Sequence, residues 1–323
     1  MSKLVHCSAV ALALLLTAAA GAHAQQKYPT RPIRMIVPYP PGGGTDIMAR
    51  AIAQRVSESL GQAVVLDNRP GAGGSTGTEM AIRAEPDGYT LIMVAGSYSA
   101  GAALYKPAYD PVNDIQPIAL IGEVALAVTL HPSMPFRTVN ELITYAKANP
   151  GRLNYGSAGT GTVMHLAGEL FKLEAKVDLT HIPYKGGGPV MTALIGGEIQ
   201  LCICSTVPSI PHVKAGRLRA IAVTTSKRSM LLPDLPTVSE TVPGYEVIHW
   251  YGMWGPKGLP REIVARWNRE VARVLQTEEM KKRMAGEGLD PAGGPPEQFL
   301  KTIRRDVEKW DRVVNEAKIK PVD

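Results

Sequence analysis

Three glycine-rich segments contain the residue types that could bind an anion. Loop A spans residues 39–46, loop B spans 71–78 and loop C spans 156–162, and each lies between a predicted β-strand and a predicted α-helix. Glycine lets the backbone approach a ligand closely. The first turn of a helix presents unpaired N–H groups and the positive end of its dipole, and Ser and Thr add hydroxyls. Together the loops predict an anion site.

The candidate ligand-binding residues are those that can offer an amide, a hydroxyl or a close backbone approach. From the three loops they are Tyr39, Gly42, Gly43, Gly44, Thr45, Asp46, Gly73, Gly74, Ser75, Thr76, Ser157, Ala158, Gly159, Thr160, Gly161 and Thr162. Because the loops contain no Lys or Arg, we expect neutral dipoles to hold the anion, which suits a carboxylate that must be released again. The alternative is that the loops are tight turns without a ligand.

Some side chains at or near the loops allow two interpretations. Asp46 can complement the dipole of its helix, or it can order the loop amides around a ligand. His165 lies one turn into the helix after loop C, so it could reach a ligand or be a buried histidine with its own partners. Tyr184 precedes glycines 186–188 and another predicted helix, which repeats the anion pattern more weakly. The aromatic cluster at 250–254 is interpreted as packing rather than ligand stacking.

Enzyme and nucleotide motifs give one alternative. Neither G-x-x-x-x-G-K-[ST] nor G-x-G-x-x-G occurs. Residues 73–77 match G-x-S-x-G, the nucleophile elbow of α/β-hydrolases, with Ser75 as the nucleophile. An elbow serine directly follows its strand, whereas residues 67–73 separate Ser75 from the preceding strand. Residues 76–79 also fit a helix capping box. A secreted serine hydrolase that uses Ser75 is therefore the alternative function.

The cysteines and histidines predict no metal site, and we expect no cofactor. Cys7 lies in the N-terminal apolar segment, and Cys202 and Cys204 lie two residues apart in a predicted strand. Such residues point to the same side of the strand. Their Cα atoms nevertheless lie at the outer limit of disulfide geometry, so we expect no bridge between them. The histidines outside the N-terminal segment show no i, i+4 pair that would suit a metal ion.

Residues 1–24 have the features of a secretory signal peptide. Lys3 provides the positive charge, residues 5–20 form the apolar region, and Ala22-His23-Ala24 is an A-x-A cleavage site. We predict cleavage after Ala24 and a periplasmic location. The apolar region is too short for a membrane anchor, and no later stretch approaches ~18 apolar residues, so we expect a mature chain that is not embedded in a membrane.

The composition of the 323 residues excludes several classes of protein. Hydrophobic residues make up 45% and charged residues 20%, which is enough for a packed core and excludes a disordered chain. The net charge of +6 is spread along the chain without a basic run, and aromatic residues make up 6%. We therefore expect no nucleic-acid partner.

Short β-rich runs alternate with amphipathic helices over most of the chain. Strands are predicted at 33–37, 64–66, 89–95, 153–155, 179–183, 199–204 and 218–224. Helices are predicted near 47–60, 76–84, 138–149, 163–171 and 189–196, and two more amphipathic stripes occupy the charged segment 257–323. This alternation predicts the α/β class with largely parallel sheets.

Seven motifs in order resemble the substrate-binding proteins of tripartite tricarboxylate transporters, also called the Bug family, over essentially the whole mature chain. The motifs are residues 28–33 (YPTRPI), 37–46 (VPYPPGGGTD), 68–74 (NRPGAGG), 86–91 (PDGYTL), 156–159 (GSAG), 181–186 (HIPYKG) and 235–240 (LPTVSE).

The resemblance implies a two-lobed periplasmic binding fold of type II that closes like a hinge on a small organic carboxylate. One lobe would be residues 28–125 plus 247–323 and the other 126–246, each a mainly parallel sheet flanked by helices, with the ligand in the cleft between them. Such proteins are not enzymes, and they deliver the ligand to a membrane permease of one small and one large subunit. We expect a monomer. A ligand-sensing subunit for a membrane signalling partner is a further alternative.

The resemblance also places ligand contacts on the three loops and at the start of the helix after residue 204, hence on Cys204 and Ser205. Many family members with an amino-acid or other polar ligand resemble D-N-x-P at this point, whereas this chain has Cys204-Ser205. An acidic partner for a ligand ammonium is therefore missing. We expect a ligand without a positive amine, such as a di- or tricarboxylate or an aromatic carboxylate.

Overall fold

The computed structural model describes residues 28–229, 232–286 and 288–321. The predicted signal peptide and its cleavage site lie outside these residues. The strands are β1 (Ile33–Val37), β2 (Val64–Asn68), β3 (Thr90–Ala95), β4 (Ile115–Leu130), β5 (Asn154–Ser157), β6 (Thr180–Pro183), β7 (Leu201–Ser205), β8 (Arg219–Val223), β9 (Ile248–Pro256) and β10 (Leu289–Pro291). The helices are α1 (Gly44–Leu60), α2 (Ser75–Ile82), α3 (Ser97–Tyr105), α4 (Val139–Ala148), α5 (Val163–Ala175), α6 (Gly187–Ile195), α7 (Thr206–Lys214), α8 (Arg261–Gln276), α9 (Glu278–Gly286) and α10 (Pro296–Glu316). In the described part of the chain, no helix is long and apolar enough to cross a membrane.

The strands form one sheet in the order β2-β1-β3-β9-β4-β7-β5-β6, with β8 and β10 paired to β4. β1 pairs in parallel with β2 and β3, and β5 pairs in parallel with β6 and β7. β9 lies between β3 and β4 and is antiparallel to both. The carboxyl ends of parallel strands share one edge of a sheet, so loops A and B leave neighbouring strands on the same edge. The predicted α/β class is confirmed.

The 16-residue strand β4 belongs to both halves of the sheet. Its residues 115–125 pair with β9, and residues 126–130 pair with β7. β8 pairs with the same second segment of β4. The chain returns to the first half just before β9, where the Val247 N–H donates to the Thr224 carbonyl at 2.9 Å. Two extended segments therefore connect the half that contains β1–β3 with the half that contains β5–β7.

The two C-terminal helices bury one face each, as their amphipathic stripes predict. α8 buries Trp267 against the β1–β3 half of the sheet. α10 spans both halves, because Phe299 packs with Trp250 and Trp254 while Trp310 packs in the core of the β5–β7 half. The charged faces of both helices remain exposed, so these helices serve as scaffold.

Helix α3 and the start of α2 differ from the sequence prediction. α3 was not predicted, because its sequence SYSAGAALY is rich in small residues and has no apolar stripe. α2 begins at Ser75 with Gly74 as N-cap and no side-chain cap, so the capping box predicted at residues 76–79 is wrong. Positive φ values at Gly73 (64°) and Gly74 (105°) turn the chain early enough for the helix to begin at Ser75.

Candidate functional site

Loop A connects β1 to α1 and is held by one buried carboxylate. Asp46 is 2% exposed. Its Oδ2 accepts the Gly42 N–H at 3.0 Å, and its Oδ1 accepts the Asn68 side-chain N–H at 3.1 Å. The Arg50 guanidinium donates to both oxygens, at 2.9 and 3.0 Å. Asp46 thus orders the loop's own backbone, and it also lies in the first turn of α1, so both interpretations fit its position.

The electrostatics of Asp46 match this role. Burial by itself raises the pKa of the carboxyl, but the hydrogen bonds from Arg50, Gly42 and Asn68 outweigh burial and hold the pKa below its ordinary value. The carboxylate is therefore ionised and fully engaged at neutral pH. It has no need of a cationic group on a ligand.

The first turn of α1 presents free backbone donors. In the described chain, the amides of Gly43, Gly44 and Thr45 donate to no other group. The hydroxyl of Tyr251, on β9, lies directly over Gly44, where a Cβ would collide with it. These amides and the positive end of the α1 dipole lie together, an arrangement that attracts anions in general.

Loop B packs against loop A. A Cβ at Gly74 would lie 3.2 Å from the Tyr39 ring, and one at Gly77 would lie 2.8 Å from Pro38. Such close approach requires glycine at both positions. Tyr39 is half-buried with its hydroxyl inside the protein, and burial raises the pKa of its phenol, as do the nearby Tyr109 and Tyr251. Tyr39 therefore remains a neutral hydroxyl between the two loops.

Ser75 does not have the setting of a nucleophile. It is 9% exposed, and its side chain lies beside the Tyr109 hydroxyl. It opens α2 behind the short 3₁₀ turn Ala72–Gly74 rather than directly following a strand. Its neighbour Thr76 is exposed. The hydrolase alternative therefore lacks the required geometry.

Helix α3 joins loop B to loop C through one face, which contains Ser97, Gly101 and Tyr105 at i, i+4 and i+8. A Cβ at Gly73 of loop B would lie 3.1 Å from the Tyr105 ring, and a Cβ at Gly161 of loop C would lie 2.8 Å from the same ring. The Tyr105 hydroxyl donates to the Thr160 carbonyl at 3.3 Å. The Val163 N–H donates to Ser97 Oγ at 3.2 Å. Through α3 and Tyr39 the three predicted loops form one continuous cluster.

Loop C is held by its own polar groups. The Gly159 carbonyl accepts from Ser157 Oγ at 3.1 Å, from the Thr162 N–H at 3.2 Å and from Thr162 Oγ1 at 2.7 Å. The Gly159 N–H donates to Ser157 Oγ at 3.2 Å. Thr162 is also the N-cap of α5, because its side chain accepts the His165 N–H. In the described chain, the amides of Ala158 and Thr160 donate to no other group.

Two stacked histidines support loop C from behind. His165 and His181 have ring centroids 3.9 Å apart and nearly parallel planes. The Gly161 N–H donates to His165 Nδ1 at 3.2 Å, and His181 Nε2 lies 2.6 Å from Ser157 Oγ. His165 is buried, so it is the satisfied histidine rather than one that reaches a ligand. The sequence left these two roles open.

The histidine pair is neutral at physiological pH. Burial, with a smaller contribution from Lys172, lowers the pKa of His165 to about 4. Burial, the neighbouring His165 and Lys172 lower the pKa of His181 to about 3, although Glu169 opposes the shift. Glu169 itself accepts from the Tyr155 hydroxyl at 2.6 Å and from Lys172 at 3.0 Å. The support of loop C therefore carries no net positive charge on its imidazoles.

Tyr184 and Cys204 lie on the core side of loop C. Tyr184 and Ala158 pack against a hydrophobic cluster that contains Cys204. A Cβ added at Gly159 would lie 3.3 Å from the Tyr184 carbonyl oxygen. Cys204 is 1% exposed and forms a disulfide with Cys202. Ser205 is half-buried at the end of β7. The Cys204 side chain is thus packed in the core rather than presented to a ligand.

The expectation of no bridge between Cys202 and Cys204 is wrong. Their Cα atoms are 5.4 Å apart, well inside the range of disulfides. A fully extended strand separates i and i+2 by more than this, so the local contraction of β7 brings the two side chains together. Within the described residues, no group of three or more His, Cys, Asp or Glu side chains could hold a metal ion.

Sequence reasoning missed His249 and grouped Tyr251 with two tryptophans that lie on the other face of β9. Trp250 and Trp254 are fully buried in a core cluster with Phe299, as the packing interpretation predicts. Tyr251 lies on the opposite face of β9, where its hydroxyl meets Gly44, and its ring packs edge-on against His249 at 5.0 Å. Burial lowers the pKa of His249 to about 4. The period of two in a strand could have assigned these residues to opposite faces.

Comparison with known proteins supports a receptor. Residues 48–319 match the model of the tripartite tricarboxylate transporter family receptor. Protein BugT of Bordetella pertussis is 36% identical over 299 residues, which cover 91% of this chain and 92% of BugT.

Solved structures have the same fold. Rpa4515 of R. palustris, solved with adipate, is 37% identical with a TM-score of 0.85, over 91% of this chain and all of that one. The periplasmic binding protein BugD is 34% identical with a TM-score of 0.83, over 91% and 99% of the two chains. MatC of Rhodopseudomonas palustris, solved with bound malate, is 31% identical with a TM-score of 0.83, over 89% and 100%. The chain belongs to the tripartite tricarboxylate transporter receptor family, whose members are two-lobed periplasmic solute-binding proteins and not enzymes.

Proposed function

We propose that this chain captures a small organic carboxylate between its two lobes, with backbone amides and hydroxyls of loops A, B and C as the ligand-binding groups. The observation that carries the proposal is the continuous cluster of the three loops, which joins the free amides of Gly43, Gly44 and Thr45 to those of Ala158 and Thr160. Uncharged donors at helix N-termini suit an anion that is bound and released.

The chemistry of the cluster favours a ligand without an ammonium group. Asp46 is the acidic residue of the three loops, and Arg50, Asn68 and the Gly42 N–H already engage it. The histidines beside the loops are neutral. Rpa4515 is solved with adipate and MatC with malate, and both ligands are dicarboxylates. We propose di- or tricarboxylates and aromatic carboxylates as the ligand class, ahead of amino acids.

The two connecting segments of the sheet suggest how the lobes move. We propose one lobe of residues 28–125 plus 247–323 and a second of 126–246. Strand β4 changes its partners from β9 to β7 between residues 125 and 126, and the chain returns before β9. Two extended segments of this kind can bend as a hinge while each half keeps its own hydrogen bonds.

Delivery and location complete the proposal. The receptor is cleaved after Ala24, works in the periplasm as a monomer, and passes its ligand to a membrane permease of one small and one large subunit. The family of the chain and the signal peptide predicted at residues 1–24 support this step.

A thermal-shift screen of residues 25–323 tests the proposal. The panel contains C4–C6 dicarboxylates including adipate and malate, tricarboxylates, aromatic carboxylates and amino acids. An acid at 100 times its Kd adds about 2.7 kcal/mol of stability, a shift that is easily detected. We expect a shift for one class of acids and no consumption of the acid. A larger shift with an amino acid would contradict the proposed class. No shift at all, from protein refolded to remove co-purified ligand, would contradict the function.

A further inference from the structure

We propose that His165 and Tyr105 are positioning residues, which together fix one peptide of loop C so that the Thr160 N–H faces the ligand. The inference rests on the proposed function, because it assigns a role in ligand binding to residues that do not touch the ligand. The Thr160 N–H is the hydrogen-bond donor to the ligand, and His165 holds loop C from the side away from the ligand.

The peptide between Gly159 and Thr160 is held in one orientation. Three donors, from Ser157 and Thr162, converge on the Gly159 carbonyl. In a planar trans peptide the C=O and the N–H point in opposite directions. Because the carbonyl faces into the loop, the Thr160 N–H faces outwards. It donates to no group within the described residues.

The next peptide, between Thr160 and Gly161, is held at both of its ends. The Thr160 carbonyl accepts from the Tyr105 hydroxyl at 3.3 Å, and the Gly161 N–H donates to His165 Nδ1 at 3.2 Å. Rotation of this peptide would break both bonds. It would also change the direction of the Thr160 N–H, since the two peptides share the Thr160 Cα. Tyr105 and His165 therefore act on Thr160 from opposite sides.

The hydrogen bond from the Gly161 N–H requires one tautomer of His165. His165 Nδ1 can accept the Gly161 N–H only as the free nitrogen of a neutral ring, so the proton lies on Nε2. The stacked His181 fixes the plane of this ring, and His181 in turn contacts Ser157, which binds Gly159. A single chain of contacts thus connects both glycines of loop C that have positive φ, Gly159 and Gly161.

A pair of substitutions at His165 separates positioning from simple packing. In H165N the side-chain oxygen can take the place of Nδ1 and accept the Gly161 N–H, although the side chain is smaller. In H165F the ring still stacks on His181, but the acceptor is lost. Adipate is the probe, measured by isothermal titration calorimetry. We expect H165N to bind within about 3-fold of wild type, and H165F at least about 10-fold more weakly. A packing role predicts the reverse order, and that result would overturn the inference.

Y105F tests the other end of the peptide. It removes the hydroxyl and keeps the ring against Gly73 and Gly161. We expect adipate to bind about 3- to 10-fold more weakly, with the melting temperature of the free protein lowered by no more than about 3 °C. Unchanged affinity would remove Tyr105 from the proposed role.

A measurement without ligand separates this inference from the proposed function. ¹⁵N imidazole spectra of the free wild-type protein at pH 6 should show His165 neutral with its proton on Nε2, and hydrogen exchange should show a protected Gly161 amide. The protection should persist in H165N and disappear in H165F. A proton on Nδ1, or equal exchange in both variants, overturns the inference. If these spectra are as expected but no acid of the panel binds, the proposed function fails and the inferred peptide geometry stands.

Discussion

Loop A and loop C both turn from a parallel strand into a helix, yet the groups that hold them differ in charge. Loop A is fixed by the ionised Asp46 and its cationic partner Arg50. Loop C is fixed by hydroxyls and by the neutral rings of His165 and His181. Loop A depends on an ionised carboxylate, whereas loop C depends on neutral imidazole rings. Two loops can therefore present backbone amides in a similar way although an ion pair holds one of them and neutral groups hold the other.

The largest expected effect comes from loop C. Gly159 has a φ of +130°, and a Cβ there would lie 3.3 Å from the Tyr184 carbonyl. G159V should therefore weaken adipate binding about 100-fold or more, because the strained backbone can no longer hold the Thr160 peptide. Isothermal titration calorimetry measures the loss, and circular dichroism checks the fold.

The matched variant in loop A is G43A. Gly43 has a φ of −77°, and its added Cβ would lie 3.6 Å from the Pro40 carbonyl, an ordinary contact. We expect adipate binding within about 3-fold of wild type. If G43A were as damaging as G159V, the two loops would not differ in their need for glycine.

The second effect tests the charged side of the comparison. D46A leaves the Gly42 N–H, the Asn68 amide and the Arg50 guanidinium without their acceptor, so unfolding in urea should show a loss of about 3 kcal/mol. R50A is the control, because the Arg50 side chain is 57% exposed and such pairs contribute about 1 kcal/mol or less. Equal losses in the two variants would show that the surface ion pair, and not the buried carboxylate, holds loop A.

The third effect is a pH dependence to which loop C contributes through His165 and His181, in addition to the buried His249 beside Tyr251. The unfolded chain protonates its histidines near pH 6.5, whereas His165 and His181 stay neutral in the fold down to about pH 4 and about 3. Falling pH therefore favours the unfolded state, and stability declines from about pH 6.5 until the folded pKa is reached. Between pH 7 and 5 we expect the pair to account for a loss of about 2–3 kcal/mol, after allowance for the partial exposure of His181.

Urea denaturation at pH 5, 6 and 7 measures this slope. H165N should flatten it, because one of the titrating rings is removed. D46N should leave it unchanged, because the pKa of Asp46 lies below 3.8 in the fold and its contribution is lost only at lower pH. A slope that responds to D46N and not to H165N would reverse the assignment of charge to the two loops.

The smallest effect concerns the disulfide beneath loop C. The bridge between Cys202 and Cys204 closes a loop of three residues, so the entropy model predicts only about 1.5 kcal/mol of stabilisation. The double variant C202A/C204A should lose about this amount in urea unfolding, and adipate binding should change little. A loss of affinity above about 10-fold would mean that the bridge helps to position the loop.

The sequence predicts the fold well where the pattern is local. The strand at 33–37, the helix that ends at Leu60 and the two C-terminal stripes are found where the periodicity places them. The helix predicted near 138–149 is also found, and it begins after Thr138, whose side chain accepts the Glu141 N–H. The Glu141 carboxylate accepts the Arg137 N–H.

The candidate site is harder to predict because its contacts are not local. Loops A, B and C were recognisable from their glycines, but the helix that joins them was not, since Ser97, Gly101 and Tyr105 form no apolar stripe. The stack of His165 on His181 joins residues that are distant in the sequence. The Cys202–Cys204 bridge depended on a small contraction of β7, which no residue pattern reveals.

The position of β9 has a consequence for the biogenesis of the protein. β9 lies between β3 and β4, although more than a hundred residues separate it from either strand along the chain. A nascent or translocating chain exposes the facing edges of β3 and β4 until residue 256 has emerged. The strands β5–β8 pair with one another or with β4, so they do not depend on a strand that is synthesised much later. Truncations before β9 should therefore aggregate, because the facing edges of β3 and β4 stay unpaired.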